Sequence, residues 1–444
     1  MRGRTDSPLS SWQARFGAMA GALLVALLAA ALASSAAATP TARALAAKRP
    51  TPTPTATPTT PPTPTPTPGC TTSFTLASHP DTTGQYLDKF LGIAAVSASD
   101  VWVVGEDEPS NTPQTLIQHW DGASWSLVPS PNSATGGYLA AVAALSSTNV
   151  WAVGSTDDTY TGQTLIEHWD GVNWSLVPSP SPTGATNSYL AGVHGDAAND
   201  VWAVGYANYP ASTPGVTVAQ TLIEHWNGTA WSIVPSPNFS TTLADQLTSV
   251  TTIANNNAWA VGKTQTTPYY QDHTLILHWD GASWTIASSF STSGGVLGVS
   301  ATSASDIWAV GAGGGPTYTP LALHNNGTAW SVVPSPGVQN SDVNVFQGVD
   351  ALTTSNVWAV GYTLVINYIG EADPVYNYVP LVEHWDGTAW SIVPSADPVP
   401  IDRYYGSTAI LYGISGADAD DVWTAGYSNA IGGSHTLIER KECQ

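Results

Sequence analysis

The chain has little positive charge. Of 444 residues, 11 are Lys or Arg and 32 are Asp or Glu. Residues 70–444 hold five basic side chains (Lys89, Lys263, Arg403, Arg440 and Lys441) against 31 acids, a formal charge of −26. A surface so poor in Lys and Arg cannot supply the phosphate contacts that drive nucleic-acid binding, which excludes DNA and RNA as partners. It does not suit adhesion to anionic lipid either. Arginine-triad hydrolases are excluded by count, since residues 70–444 contain two arginines. Cysteine is nearly absent: the sequence has Cys70 and Cys443 and no other.

Long apolar runs are also missing after the N-terminus. Residues 1–16 carry Arg2, Arg4 and Arg15, and Gly17–Ala38 is an uncharged run rich in Ala and Leu. A basic start, an apolar stretch and small residues at Ser35-Ala36-Ala37 form the anatomy of an export signal. At 22 residues the run could also span a bilayer as an uncleaved anchor, so 1–38 is expected to be a signal peptide or an N-terminal membrane anchor. Residues 39–69 are dominated by Thr-Pro dipeptides. Proline fixes φ and removes donors, which predicts a solvated linker without a core.

What is present in abundance is tryptophan, and it is periodic. Trp102, Trp151, Trp202, Trp259, Trp308, Trp358 and Trp423 recur at spacings of 49, 51, 57, 49, 50 and 65 residues. A period near 50 with strand-type patterning points to propeller blades. In the first copy Leu91–Ser97, Val101–Gly105, Thr115–Trp120 and Ser124–Val128 read as four short strands. Asp121-Gly122 and its counterparts Asp170-Gly171, Asn227-Gly228, Asp280-Gly281, Asn326-Gly327 and Asp386-Gly387 mark the hairpin between strands three and four. The second strand is apolar at nearly every position, as expected when both faces are covered.

Seven copies of strands one to three are present, and the last stops short of its fourth. Ser73–Pro80 aligns with Ser124–Pro131, with Phe74 at the tryptophan position. The expected fold is therefore all-β: a seven-bladed β-propeller of four-stranded antiparallel blades over residues 70–444. An N-terminal strand would complete the last blade and remove exposed sheet edges. The same alignment puts Cys70 and Cys443 at adjacent turn positions, where a disulfide would close the ring in an oxidising compartment. That role leaves neither cysteine for thiol catalysis or for a copper-site crosslink.

The pattern S-x-x-D/N-V-W-A-V-G followed by T-L-I-E-H-W-D/N-G-x-x-W-S-x-V-P-S-P resembles the repeat of secreted bacterial seven-bladed propeller proteins. It is similar, more loosely, to kelch, Asp-box and lectin propellers. The resemblance covers residues 70–444 and implies architecture rather than activity, because propellers host both enzymes and binding modules.

Histidines 119, 168, 225, 278, 324 and 384 share one repeat position, preceded by Glu167, Glu224 and Glu383 in three copies. A residue present in nearly every blade is expected to pack it, each imidazole bonding a backbone group. The Asp or Asn two residues before each strand-two tryptophan is expected to bond its own turn. No metal or other cofactor is implied, since the acidic run Asp418, Asp420, Asp421 lacks the spacing of a calcium loop. No catalytic set is assigned, although Glu371, Asp373 and Asp402 leave a glycosidase carboxylate pair open.

Tyrosines, by contrast, concentrate in the connections that would emerge on one face of the ring. Tyr206, Tyr209, Tyr269, Tyr270, Tyr368, Tyr376, Tyr378, Arg403, Tyr404 and Tyr405 are the candidate ligand-binding residues. Tyrosine combines contact area with a polar tip, which suits recognition surfaces and sugar stacking. The longest strand two–three connections are read as Tyr206–Gln220 and Tyr362–Pro380. The expected function is an extracellular or cell-surface binding module, monomeric, recognising a glycan or another extracellular protein. The alternatives are an extracellular carbohydrate-active lyase or hydrolase, or a purely structural surface component.

Overall fold

A computed structural model describes residues 72–80, 88–109, 112–156, 161–265, 272–288, 294–314, 317–339, 341, 343–367, 374–396, 398, 406–430 and 433–442. Cys70, Cys443 and the whole of segments 1–38 and 39–69 lie outside these residues. Among the described residues every regular element is a strand.

β1 (Thr75–Leu76) is followed by sheet one: β2 (Lys89–Ser97), β3 (Asp100–Asp107), β4 (Gln114–Trp120) and β5 (Trp125–Leu127). Sheet two is β6 (Tyr138–Ser146), β7 (Asn149–Ser155), β8 (Thr164–Trp169) and β9 (Trp174–Leu176). Sheet three is β10 (Asn187–Ala197), β11 (Asp200–Pro210), β12 (Thr217–Trp226) and β13 (Trp231–Ile233). Sheet four is β14 (Asp245–Ala254), β15 (Asn257–Gln265), β16 (Asp272–Trp279) and β17 (Trp284–Ser288). Sheet five is β18 (Gly294–Ser303), β19 (Asp306–Gly313), β20 (Thr319–Asn325) and β21 (Trp330–Val333). Unit six is β22 (Val343–Thr353), β23 (Asn356–Asn367), β24 (Val375–Trp385) and β25 (Trp390–Ile392). Unit seven is β26 (Ser407–Gly416), β27 (Asp421–Ala430) and β28 (Gly433–Glu442), with β1 beside β28.

Five of these groups are separate four-stranded antiparallel sheets. Units six and seven share one eight-stranded sheet, because β24 and β26 pair in parallel at Asn377–Ser407 and Tyr378–Thr408. The four-stranded antiparallel meander is the form of a propeller blade. First strands pack on first strands around the series, β2 on β6, β6 on β10, and so on to β22 on β26 and β26 on β2.

The repeated Val-Gly of strand two is explained by a bulge. In every first strand one residue drops out of register: Leu91, Ala140, Ala191, Thr248, Leu297, Gln347 and Tyr412. There the two strands close up, so that a Cβ on Gly105 would lie 1.9 Å from the Lys89 carbonyl oxygen. Gly154, Gly205, Gly262, Gly361 and Gly426 meet the same obstacle at the same distance. No other residue fits.

The core lies between sheets. Trp102, Val104 and Ile117 of sheet one pack with Leu139, Val142, Val150 and Trp174 of sheet two, and Phe90 and Trp125 pack likewise with Trp423 and Ile438. Six of the seven strand-two tryptophans make an edge contact with a fourth-strand tryptophan of the next sheet, as Trp102 does with Trp174 at 5.5 Å and 77°. Phe74 of the β1 segment makes the same edge contact with Trp358, at 5.6 Å and 81°.

Two local expectations are corrected. The histidines bond side chains rather than backbone. His119, His225 and His324 set Nε2 2.7–2.8 Å from Oδ1 of Asp100, Asp200 and Asp306, and His168, His278 and His384 set it 2.8–3.1 Å from Oδ1 of Asn149, Asn257 and Asn356. That oxygen also accepts the indole N–H in five copies, for example Trp202 Nε1 to Asp200 at 3.0 Å. The Asp or Asn is therefore the shared acceptor of a Trp–His pair rather than a turn former, and Asn serves because the pair needs only the one oxygen. In unit seven Arg440 replaces the histidine and bonds Asp421 through Nε and Nη2. The Asp-Gly hairpin is a four-residue turn, with Trp120 paired to Trp125 and the Asp121 carboxylate accepting the N–H groups of Ala123 and Ser124. Gly122 supplies the positive φ of 93°.

Candidate functional site

The copies agree through the strand-two glycine and part company at the next residue. That position reads Glu106, Ser155, Tyr206, Lys263, Ala312, Tyr362 and Tyr427. The bulged position of strand one is equally varied, and a bulge is a device that re-aims a side chain. Chemistry specific to one sector of the molecule enters at these two rings.

Tyrosine dominates the sector of units six and seven. Tyr362 packs with Ala312 of sheet five and Ile410 of β26, and Tyr378, Tyr412 and Tyr427 lie against the same cluster. The Tyr362 and Tyr378 rings meet edge to face at 5.5 Å, and Tyr412 and Tyr427 stack at 6.1 Å with 11° between planes. Burial pushes the Tyr362 phenol up to about 12, with the neighbouring phenols Tyr378 and Tyr318 adding to the shift. Tyr378, Tyr412 and Tyr427 are raised for the same first reason. All four therefore remain neutral phenols. Among the described residues none of their hydroxyls has a hydrogen-bond partner.

Beside them stands a charged pair that the sequence did not announce. Lys89 and Glu106 lie 2.6 Å apart with both side chains buried. Glu106 acts electrostatically on Tyr412, and Lys89 on Tyr427. Next to the pair, the Asp107 carboxyl is raised by burial and by its hydrogen bond to Asp88. Nothing in the repeat pattern flags Lys89 or Glu106. The available signal is that Glu106 is the one acid at a position where the other copies carry Ser155, Tyr206, Lys263, Ala312, Tyr362 and Tyr427.

Of the sequence candidates, Tyr206 sits on β11 with its ring 5.1 Å from Tyr189, and burial pushes its phenol up to about 12. Tyr209 lies further along β11, opposite Val218. Tyr376 is 49% exposed on β24, and Tyr378 turns into the cluster two residues later. Tyr269, Tyr270, Tyr368, Arg403, Tyr404 and Tyr405 lie outside the described residues. The structure joins Tyr378 to Tyr362, the first residue of the same connection, and to Tyr412 and Tyr427, which are not among the sequence candidates.

The two long connections are largely strand where they are described, with a turn over residues 211–216 in the first. Tyr206–Pro210 pairs with Thr217–Thr221, and Tyr362–Asn367 pairs with Val375–Pro380. Each extends its own hairpin, and the alternating apolar and aromatic residues (Leu364, Ile366, Tyr376, Tyr378) explain why strand pairing persists. The β23–β24 extension is tied on both sides. Ser341 Oγ donates to the Leu364 carbonyl at 2.8 Å, and Ser407 Oγ donates to Asn377 Oδ1 at 2.8 Å.

No protein-family model matches the sequence. No curated protein matches it either. Similar solved structures include YCF48 from Cyanidioschyzon merolae, 15% identical over 83% of this chain and 99% of that one, with a TM-score of 0.47. The GH74 xyloglucanase from Xanthomonas campestris is 11% identical over 80% of this chain and 53% of that one, TM-score 0.49. The SapL1 lectin, solved with α-methyl fucoside, is 14% identical over 71% of this chain and 99% of that one, TM-score 0.41. Likenesses this remote transfer neither a site nor an activity.

At the opposite ends of the strands, Asp418, Ala419, Asp420, Asp421, Arg440, Glu442 and Ala98 line an open depression of about 390 Å³. Its polar groups are largely engaged with one another: Asp421 holds Arg440, Arg440 Nη1 lies 2.8 Å from Glu442, and Asp418 accepts the Asp420 N–H.

Proposed function

We propose that residues 70–444 form a closed seven-bladed β-propeller working outside the cytoplasm as a binding module for a glycan or another extracellular partner. Closure is supported by β1 pairing with β28, by Ser415 Oγ accepting the Ala95 N–H at 3.0 Å, and by the close approach of Gly413 to Ile93. The export signal and the Thr/Pro-rich linker would carry the propeller across the membrane and away from it. A Cys70–Cys443 disulfide would fasten the two chain ends. Non-reducing peptide mapping of the secreted chain is expected to recover the two cysteines joined; recovery as free thiols would refute the bond.

The observation that carries the binding reading is the tyrosine-rich end of sheets five to seven, with Tyr318 and Tyr376 exposed on it and four more rings behind them. Aromatic side chains held on strands lose little freedom when a partner lands on them. The carboxylates left open for a hydrolase, Glu371, Asp373 and Asp402, lie outside the described residues. The test is an array of extracellular glycans and surface proteins probed with the full chain and with Tyr318→Ala/Tyr376→Ala. Both residues are exposed, so the variant should melt like the parent and bind about tenfold or more weakly. Equal binding by parent and variant would move the surface elsewhere.

A further inference from the structure

Tyr362, Tyr378, Tyr412 and Tyr427 come from β23, β24, β26 and β27, and they share a cluster with Leu297 and Ala312 of sheet five. Sheets five and seven are not neighbours in the series. A cluster spanning them belongs at the inner ends of the strands, where first strands converge. Tyr412 is the bulged residue of its strand, and that strand, β26, packs on both β22 and β2. Four rings thus present hydroxyls with no hydrogen-bond partner among the described residues, at a place approached from the variable end.

The surrounding charges limit what these hydroxyls can receive. Among the described residues Lys89 is the one cation acting on the cluster, and it is engaged with Glu106 at 2.6 Å. An anionic ligand would meet a spent lysine and an acid, in a region of formal charge −26. A cationic ligand would have to displace Lys89 from its own carboxylate, and among the described residues would find no second acid acting on these rings. A neutral polyhydroxylated molecule avoids both costs: its C–H faces stack on the rings and its hydroxyls meet the phenols.

We propose that the ligand is an uncharged saccharide seated on Tyr362, Tyr378, Tyr412 and Tyr427; this rests on the binding-module reading above. The test presents the full chain with neutral oligosaccharides of about two to six units, and with uronate- or sulfate-bearing ones of the same lengths. The parent should bind the neutral set selectively. Tyr412→Phe/Tyr427→Phe keeps both rings and removes two hydroxyls, so affinity should fall about tenfold or more at an unchanged thermal midpoint. Tyr412→Phe alone serves if the pair destabilises the chain. Preference for charged saccharides, or binding of none, overturns the proposal. If neutral saccharides bind the Phe variants as they bind the parent, the tyrosine seat is wrong and the binding-module reading stands. If only a protein partner is captured, the saccharide is wrong and that reading again stands.

Discussion

Asp200 shows how much a single oxygen does in this repeat. Its Oδ1 takes the Trp202 indole N–H at 3.0 Å and lies 2.7 Å from His225 Nε2. Asp200→Ala removes both partners at once and should destabilise by about 1–3 kcal/mol, the range for leaving buried polar groups unpaired. Asp200→Asn should be nearly silent, because Asn149, Asn257 and Asn356 fill the same place in other copies. Urea midpoints of the two variants decide between this account and a required charge. Trp202 itself is 2% exposed and contacts Trp279 and Trp284 of the next sheet. Trp202→Ala should cost about 3–5 kcal/mol, and a wild-type denaturant midpoint in that variant would contradict the packing described here.

Between elements, the third strand carries a buried carboxyl that reaches the preceding sheet. Ser130 donates to Glu167 at 2.8 Å, Ser179 to Glu224, Ser335 to Glu383 and Ser395 to Glu439. Sheet one has Gln118 there instead, donating to the Pro80 carbonyl at 2.7 Å. Burial pushes Glu167 and Glu224 up to about 8, and the serine bonds offset this in part. No charged group contributes to either shift. The folded chain then keeps protons that the unfolded chain releases near 4.5. Stability from these groups is complete below that value and is lost as pH rises through about 8. His194 and His384, held near 4 by burial, act in the opposite sense below 6.5. The window from 6.5 to 8 therefore isolates the acids. There the parent should lose roughly 1 kcal/mol per pH unit for each carboxyl. Glu167→Gln/Glu224→Gln should flatten the slope, and an unchanged slope would show that the carboxyls do not hold their protons.

For the whole molecule, the decisive contact is the one between chain ends. Phe74 is 2% exposed beneath Trp358, and Thr75 and Leu76 cover the edge of β28. Phe74→Ala should cost about 3–5 kcal/mol, as large as a change within any other unit. Deleting residues 72–80 should leave the β28 edge open and promote association, which light scattering would detect. A monomeric deletion variant as stable as the parent would show that β1 is dispensable.

The repeat period, the strand positions and the Asp-Gly turns could be read from the sequence, because period-two apolarity and φ-demanding turns are local properties. The bulge was legible in part: the glycine repeated in all seven second strands was visible, but its cause, a carbonyl oxygen 1.9 Å from an added Cβ in six of them, was not. What only the tertiary structure decided were the partners. The Asp–Trp–His triple spans 25 residues in sheet three, and the serine–glutamate contacts span up to 48. Periodicity tells which face of a strand is covered but not which side chain covers it. The tyrosine cluster is the clearest instance. Tyr412 lies in a first strand, outside the connections, yet it shares one cluster with Tyr362, Tyr378 and Tyr427, from three other strands.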